Sequence, residues 1–416
     1  MTEPQPLPQR EPDSISEDDM PTVPIPARKV VTTFDAASRH ERLEVKPPLT
    51  RLFRRTITKA FSVWLKFSTA LVRSLDWYPR VEPYVGYGTE HYSRLICRTV
   101  YGPFKRQAGR LIRGIRGMLM VPSPHTKVRI AIDDVPIETV QVGASEVYDA
   151  IDSNPDISSE FAASDDAGYL DLVAEHSLEP GIHNVSYKVR SRKPVNANLF
   201  TIPSGTKVGV ISDVDDTIMV TQAPRLMKAA YNLLLLNPRK KVPVASMNLL
   251  FNRIADMFTD APFFYLSTSP WNVESSIRHF ITNHGFPEGP LLLRDLDPRP
   301  KTFVPSGVQH KLEYAEQLMA DFPDMKFILI GDDGQKDPTT YATIARRYPG
   351  RVLAICIRQL TPREVAGNIG SVAGRANTQP MPVTDVPVFT GATGSNIMKT
   401  MLPYLRATQA ADGETD

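Results

Sequence analysis

The sequence predicts an α/β protein: a doubly wound parallel sheet with a small helical cap, preceded by an antiparallel, sandwich-like β-domain. Three observations predict it. After Lys207, short apolar runs alternate with helical stretches, the pattern of buried parallel strands covered on both faces. Between Tyr84 and Ile202, apolar and polar residues instead alternate one by one in short runs split by turn signals. And 416 residues, 42% of them hydrophobic, suffice for two or three domains with at least one sizeable core.

Taken in order, residues 1–50 are rich in Pro, Glu, Asp and Ser and lack apolar periodicity, which predicts a disordered tail. Their acidic start is the opposite of a signal peptide's, and no stretch nears the roughly 20 apolar residues that cross a bilayer. Only Cys97 and Cys356 occur, without metal-ligand spacing, so neither a disulfide framework nor a zinc site is expected, and a reducing compartment fits. The formal net charge of +2 excludes a globally basic nucleic-acid binder. The expectation is a cytoplasmic protein whose membrane contact is peripheral, at the inner face of the plasma membrane, with no nucleic-acid partner.

Residues 51–78 hold a basic helix. Phe53, Ile57, Phe61, Trp64, Phe67 and Leu71 recur at helical spacing, while Arg55, Lys59, Lys66 and Arg73 mark the polar side. Two readings stand: packing on a neighbouring domain, or lying on anionic lipid with the aromatic rings in the acyl boundary. Residues 79–203 form the β-domain, with alternating runs such as Lys127–Ile132 and Asn184–Val189 and turns at Asp165-Asp166-Ala167-Gly168 and Glu179-Pro180-Gly181. It contains no catalytic constellation, which favours a structural or targeting role.

Over residues 204–372, apolar runs at Val208–Ile211, Phe263–Leu266, Leu291–Leu293, Phe327–Ile330 and Val352–Ile357 alternate with helical stretches near Asn272–His284, Val308–Ala320 and Pro338–Tyr348. In such a sheet the ligand site lies beyond the carboxyl ends of the strands. The insert at 218–262, with Leu233–Leu236, Arg239-Lys240-Lys241 and Met247–Ile254, is expected to form the cap. Residues 373–416 are expected to be mostly a flexible tail, with only a short amphipathic turn at Ile397–Leu405 able to dock back.

Polar residues gather where the strands end. Asp213-Val214-Asp215-Asp216-Thr217 follows the first strand, and carboxylates two residues apart there repel one another unless a cation such as magnesium is bound. An acidic helix cap is the alternative, although a cap needs one Asp or Ser rather than several. Ser267-Thr268-Ser269 at the next strand end offers hydroxyls and backbone N–H groups to a phosphate, or an ordinary N-cap. Lys311 stands near a helix start, where the dipole does not favour a cation; it can neutralise a phosphoryl oxygen or simply face solvent. Gly331-Asp332-Asp333-Gly334-Gln335-Lys336-Asp337 sets a second acid cluster past another buried strand, and two such clusters on one sheet are hard to explain as caps.

Acid cluster, hydroxyl, lysine, acid cluster, in that order, resembles the four-part signature of the haloacid dehalogenase-like phosphatases. Val210–Thr217, Tyr265–Trp271, Leu293-Arg294-Asp295, His310-Lys311 and Gly331–Pro338 are further similar to the catalytic domain of the actin-patch-associated phosphatidate phosphatase family, over roughly residues 205 to 360. Pro83–Thr89 in the β-region resembles the family's bacterial members. The resemblance implies Asp213 as nucleophile, Asp215 as general acid/base, Thr217 as a loop holder, and Ser267, Thr268 and Lys311 as phosphate contacts. It implies Mg2+ held by Asp213, the Asp215 carbonyl and Asp332, with Asp337 orienting a metal-bound water or Lys311. Arg294 is either a headgroup contact or a partner of Asp295. The implied substrate is phosphatidate at an anionic membrane. A soluble or protein-bound phosphate ester remains an alternative, as does a non-catalytic membrane-binding protein.

Overall fold

The computed structural model describes, with short breaks, residues 63–102, 121–141, 162–220, 242–294, 307–364 and 380–413. The expected tail at 1–50, the basic helix before residue 63 and the part of the expected cap at 221–241 lie outside the described residues.

The first unit comprises β1 (Tyr78–Pro83), β2 (Gly86–Thr89), β3 (Tyr92–Gly102), β4 (Lys127–Ile132), β5 (Val135–Pro136), β6 (Val140–Gln141), β7 (Ala162–Ala163), β8 (Tyr169–Glu175), β9 (Gly181–Val189) and β10 (Val195–Ile202). They form one hydrogen-bonded path, β5-β4-β9-β10-β2-β3-β8-β6, with β1 on β3 and β7 on β4. Strand periodicity sends Val128, Ile130 and Ile132 of β4 inward to meet Leu95, Leu170, Val185, Tyr187 and Leu199 in one core. The β4–β5 turn carries Asp133 and Asp134 at φ 48° and 65°, the pair of positive values that a two-residue hairpin of primed type demands. The expected all-antiparallel pairing is corrected at one seam: β10 runs parallel to β2, because the segment between them returns the chain through β3 to β9 instead of by a hairpin.

The second unit comprises β11 (Val208–Asp213), β12 (Met219–Val220), β13 (Val242–Pro243), α1 (Met247–Met257), β14 (Phe263–Pro270), α2 (Glu274–Asn283), β15 (Leu291–Arg294), α3 (Gly307–Asp321), β16 (Lys326–Asp332), α4 (Asp337–Arg347), β17 (Val352–Arg358), β18 (Val388–Gly391) and α5 (Gly394–Gly413). Six strands make a sheet in the order β15-β14-β11-β16-β17-β18, every pair parallel. Side chains alternate between its faces. Val210, Phe263, Tyr265, Ile328, Ile330 and Cys356 pack with α1, α2 and α5. Ile211, Phe264, Leu266, Phe327, Leu329 and Ile355 pack with α3 and α4 on the other side. With both faces covered, the strands are apolar at consecutive positions rather than at every second one, as the sequence shows. Successive connections leave β11 in opposite directions, toward β14 and, later, β16, and this reversal opens a crevice at the carboxyl ends of those two strands.

Two expectations are corrected here. Met247–Ile254, expected in the cap, is core: Met247, Leu250, Phe251 and Ile254 of α1 are buried against the sheet. Residues 388–413, expected in a flexible tail, add the edge strand β18 and the 20-residue helix α5, whose Ile397, Met401 and Leu405 bury one stripe against that same core.

The two units meet through the Pro83–Thr89 segment. Tyr84 stacks on Trp271 with ring centroids 4.7 Å apart. Tyr87 meets Phe264 edge-on at 5.7 Å and donates to the Asp321 carboxylate at 3.1 Å. Glu274, buried at the start of α2, accepts an Arg278 N–H at 3.2 Å, with the Val85 backbone and Glu82 nearby. Burial, reinforced by Glu82, raises its carboxyl to about 7 against the pull of Arg278.

A carboxyl whose folded pKa exceeds its unfolded one is protonated longer in the folded state. The folded protein is therefore destabilised progressively from about pH 4 to pH 7, and fully above it. Glu274→Gln removes that penalty. Urea unfolding is expected to show the variant more stable than wild type at pH 8, by ~2–4 kcal/mol, and level with it near pH 4. Parallel pH profiles for the two proteins would overturn this account.

Candidate active site

β11 ends at Asp213, and the chain then turns sharply. Asp216 takes φ 58°, its N–H bonds the Met219 carbonyl at 2.8 Å, and the Ile218 and Met219 N–H groups return to the Val214 carbonyl. The turn stacks Asp213, Asp215 and Thr217 over the sheet end, all buried, with the Thr217 hydroxyl 3.3 Å from Asp213 Oδ2. From the neighbouring strand on one side, β14 supplies Ser267 and Ser269. As residues i and i+2 they share a strand face, and both hydroxyls donate to Asp215 Oδ2 at 3.1 Å. Thr268 has the opposite parity, and no hydrogen bond ties its side chain to the cluster. The His310 ring bonds the Ser267 carbonyl at 3.0 Å.

On the other side, β16 ends in Asp332 and α4 begins with Asp337. Gly331 lets them converge, because a Cβ there would run into the Asp337 side chain. Lys311, near the start of α3, reaches between the strands. Its Nζ lies 2.7 Å from Asp213 Oδ1 and 2.5 Å from Asp337 Oδ1. The Asp337 carboxylate also accepts the Asp332 N–H at 3.3 Å. Asp333 points elsewhere: it accepts the Leu360 N–H at 2.9 Å and braces the loop after β17.

The charges do not balance. Asp213, Asp215, Asp332 and Asp337 crowd one buried crevice, where among the described residues Lys311 supplies the one ammonium. Burial raises the Asp213 carboxyl to about 7, with Lys311 opposing and Asp337 and Asp215 adding to the rise. Burial, then Asp337 and Asp213, pushes Asp332 well above the carboxylate range. Burial works against the Lys311 charge, but Asp213 and Asp337 outweigh it and hold the lysine above its usual range. Oxygens of Asp213, Asp332 and Asp337 lie within 4.8 Å of one another, close enough to share one ion. An excess of hard carboxylate donors at that spacing fits a divalent cation such as magnesium.

Of the residues singled out by sequence, Asp213, Asp215, Thr217, Ser267, Lys311, Asp332 and Asp337 come together. Arg294 closes β15, and its side chain, like Asp295, lies outside those described. The contacts of four others were not foreseen. Ser269 doubles the grip on Asp215. His310 steadies the Ser267 turn. Gln335 donates to Asp332 Oδ2 at 3.2 Å and to the Asp215 carbonyl at 3.3 Å. Arg358, buried at the end of β17, donates to the Asp216 carbonyl at 2.7 Å and pairs with Glu364 at 2.6 Å. A charged residue closing an otherwise apolar parallel strand was the signal available for Arg358.

A family model described as phosphatidate phosphatase APP1, catalytic domain, matches residues 208–359. The phosphatidate phosphatase APP1 of Saccharomyces cerevisiae is 29% identical over 208 residues, 49% of this chain and 35% of that protein. An uncharacterized protein of Schizosaccharomyces pombe is 25% identical over 184 residues, 44% of this chain and 30% of that one. This chain thus spans 35% and 30% of the lengths of these relatives. Among solved structures, the tandem Ig repeats of Dlar align at a TM-score of 0.17 and 9% identity, over 34% of this chain and 62% of that one, a score too low to bear on the fold.

Arg358 ties the segment at Glu364 to the turn after β11, and truncating it removes the ion pair with Glu364 and the bond to the Asp216 carbonyl. Arg358→Met is expected to cost ~3–5 kcal/mol in urea unfolding, the scale of breaking a buried ion pair from one side. A loss below ~1 kcal/mol, the scale of exposed pairs, would show that the contact carries no such weight.

Proposed function

We propose, from the match of residues 208–359 to the model of the phosphatidate phosphatase APP1 catalytic domain, that the chain is a magnesium-dependent phosphatase of the haloacid dehalogenase-like type, hydrolysing phosphatidate to diacylglycerol and phosphate at a membrane surface. The observation that carries this reading is the Lys311 ammonium held between Asp213 and Asp337 beside Asp332. It joins a nucleophile, a phosphate-neutralising cation and a metal-binding acid cluster at one sheet end.

The chemistry runs in two displacements. An Asp213 carboxylate oxygen attacks phosphorus, the bond from phosphorus to the ester oxygen breaks, and Asp215 in its acid form gives that oxygen a proton. Diacylglycerol leaves and an aspartyl-phosphate remains. Asp215, now a carboxylate, takes a proton from water as the water oxygen attacks phosphorus. The acyl-phosphate P–O bond breaks, releasing phosphate and restoring Asp213. Ser267 and Lys311 hold the outer phosphoryl oxygens through both steps. Asp213, the Asp215 carbonyl and Asp332 would hold magnesium, which when bound would supply positive charge that makes the phosphoryl group a better target. Thr217 holds the Asp213 carboxylate in its rotamer, and Asp337 holds the Lys311 ammonium.

Support for a lipid surface comes from the helical residues between 63 and 74. Val72 faces the protein, packed with Trp77, Tyr101 and Val121. Val63, Phe67 and Leu71, one stripe at four-residue spacing, are 66%, 69% and 48% exposed. The charged residues of the same segment are Lys66 and Arg73, both basic, and an exposed apolar stripe beside cations suits an anionic bilayer. No helix among the described residues is long and apolar enough to cross a membrane.

Phosphate release from vesicles containing phosphatidate, with magnesium, is expected for wild type. Asp213→Asn is expected to lose at least about a thousandfold, since the covalent nucleophile is gone. Turnover of soluble esters with none on vesicles would defeat the lipid substrate, and an unaffected Asp213→Asn would defeat the mechanism.

Replacing Val63, Phe67 and Leu71 together with Ser is expected to lower vesicle turnover and vesicle co-sedimentation about tenfold or more, given the apolar area removed from the bilayer. Turnover of a soluble short-chain ester should be unchanged. Equal losses on both substrates would count against a membrane-facing stripe.

A further inference from the structure

The loop between β16 and α4 contains a residue that the mechanism does not use. Gln335 Nε2 is 3.2 Å from Asp332 Oδ2 and 3.3 Å from the Asp215 carbonyl oxygen. These two oxygens come from different strand ends, and both belong to the set that the metal reading requires. The other Asp332 oxygen is already engaged by the Gly334 N–H at 2.7 Å. Asp337 is engaged by Lys311 and the Asp332 N–H. The inward oxygen of Asp332 therefore has the Gln335 amide as its partner. An N–H donor bridging a carboxylate and a carbonyl does electrostatically, in part, what a shared cation would do.

We propose that Gln335 is a further residue of the cation site, an amide that bridges Asp215 and Asp332 when no cation is bound and presents its oxygen when one is. This rests on the metal reading above. The physical basis is the two-sided character of the carboxamide, which carries two donors on nitrogen and two acceptor lone pairs on oxygen. A cation drawn to Asp332 Oδ2 and the Asp215 carbonyl repels the N–H pair between them. Rotation about the last side-chain torsion, which is broad for an amide, then brings Oε1 to face the site. A neutral oxygen is a suitable ligand for a hard divalent cation, or an acceptor for a water that the cation holds. A lysine here would repel the cation, and an apolar side chain would leave the Asp332 oxygen unbridged.

The test is Mn2+ binding to the full chain, by electron paramagnetic resonance of unbound Mn2+ or by calorimetry, for wild type, Gln335→Ala, Gln335→Glu and Asp332→Asn. Thermal unfolding in chelator checks that each variant is folded. Gln335→Ala is expected to bind about 10–100-fold more weakly, the usual loss on removing a partner of this kind. Gln335→Glu, which keeps an oxygen in place, should bind at least as tightly as wild type. An unchanged affinity in Gln335→Ala overturns the proposal, and so does a tighter one, which would make the amide only a competitor of the cation. If wild type binds Mn2+ and Asp332→Asn does not, either result falls on Gln335 alone. If wild type binds none, the metal reading itself falls and takes this inference with it.

Discussion

The Lys311 ammonium, wedged between Asp213 and Asp337 under the ends of β11 and β16, is the interaction on which the rest of the site depends. Four carboxylates cannot share a buried crevice without compensation, and a single lysine compensates only in part. What remains is a standing excess of negative charge at a place with few ways to relieve it: protons, which Asp213 and Asp332 accept readily, or a divalent cation. The same excess makes the crevice a poor core and a good binding site. A scaffold that tolerates it must be rigid, since any loosening would let the carboxylates swing apart into water.

That rigidity has visible sources. Glycine at 331 allows Asp337 to close on the strand end, and Tyr341 of α4 donates to the Ile330 carbonyl one residue earlier at 2.9 Å. Arg358 clamps the turn at Asp216 from the far side of β16. The β-domain adds a third support. Tyr84 stacks on Trp271, just after the strand end that carries Ser267 and Ser269, and the Val85 backbone lies near Glu274 one helical turn later. The first unit thereby braces the strand end whose serines hold Asp215.

How much of this was legible in the sequence depended on the range of the interaction. Parallel strands buried on both faces announce themselves as apolar runs, so β11, β14, β15, β16 and β17 were readable, as were the acids at the ends of β11 and β16. Met247–Ile254 was misplaced because an amphipathic helix has the same pattern whether it covers a sheet or caps a crevice. β18 has only four residues, and α5 contains Pro403, so neither carried a strong local signal. The parallel pairing of β10 with β2 is a choice of partner, which alternation does not specify. Gln335 was invisible for the same reason: one of its partners is a main-chain carbonyl 120 positions away.

The period of the β-strand explains why the site uses the residues it does. Asp213 and Asp215 are separated by two positions, and so are Ser267 and Ser269. On adjacent parallel strands registered partners face the same side, and the partner of Asp213 is Leu266, so Ser267 and Ser269 take the other face of β14 from Leu266. Asp213 stands opposite Leu266 in the register, so the serines begin one position beyond it, level with the turn that carries Asp215. Two hydroxyls can then reach one carboxylate oxygen, while Thr268 between them cannot. The ladder shifts between Leu266 and Pro270, which lets β14 continue past the last regular pair. Asp215 is thereby held by side chains whose spacing is dictated by the strand, and Lys311 is left to hold Asp213. The two carboxylates are thus kept apart by different partners, one bound to neutral hydroxyls and one to a charge, as distinct chemical roles require.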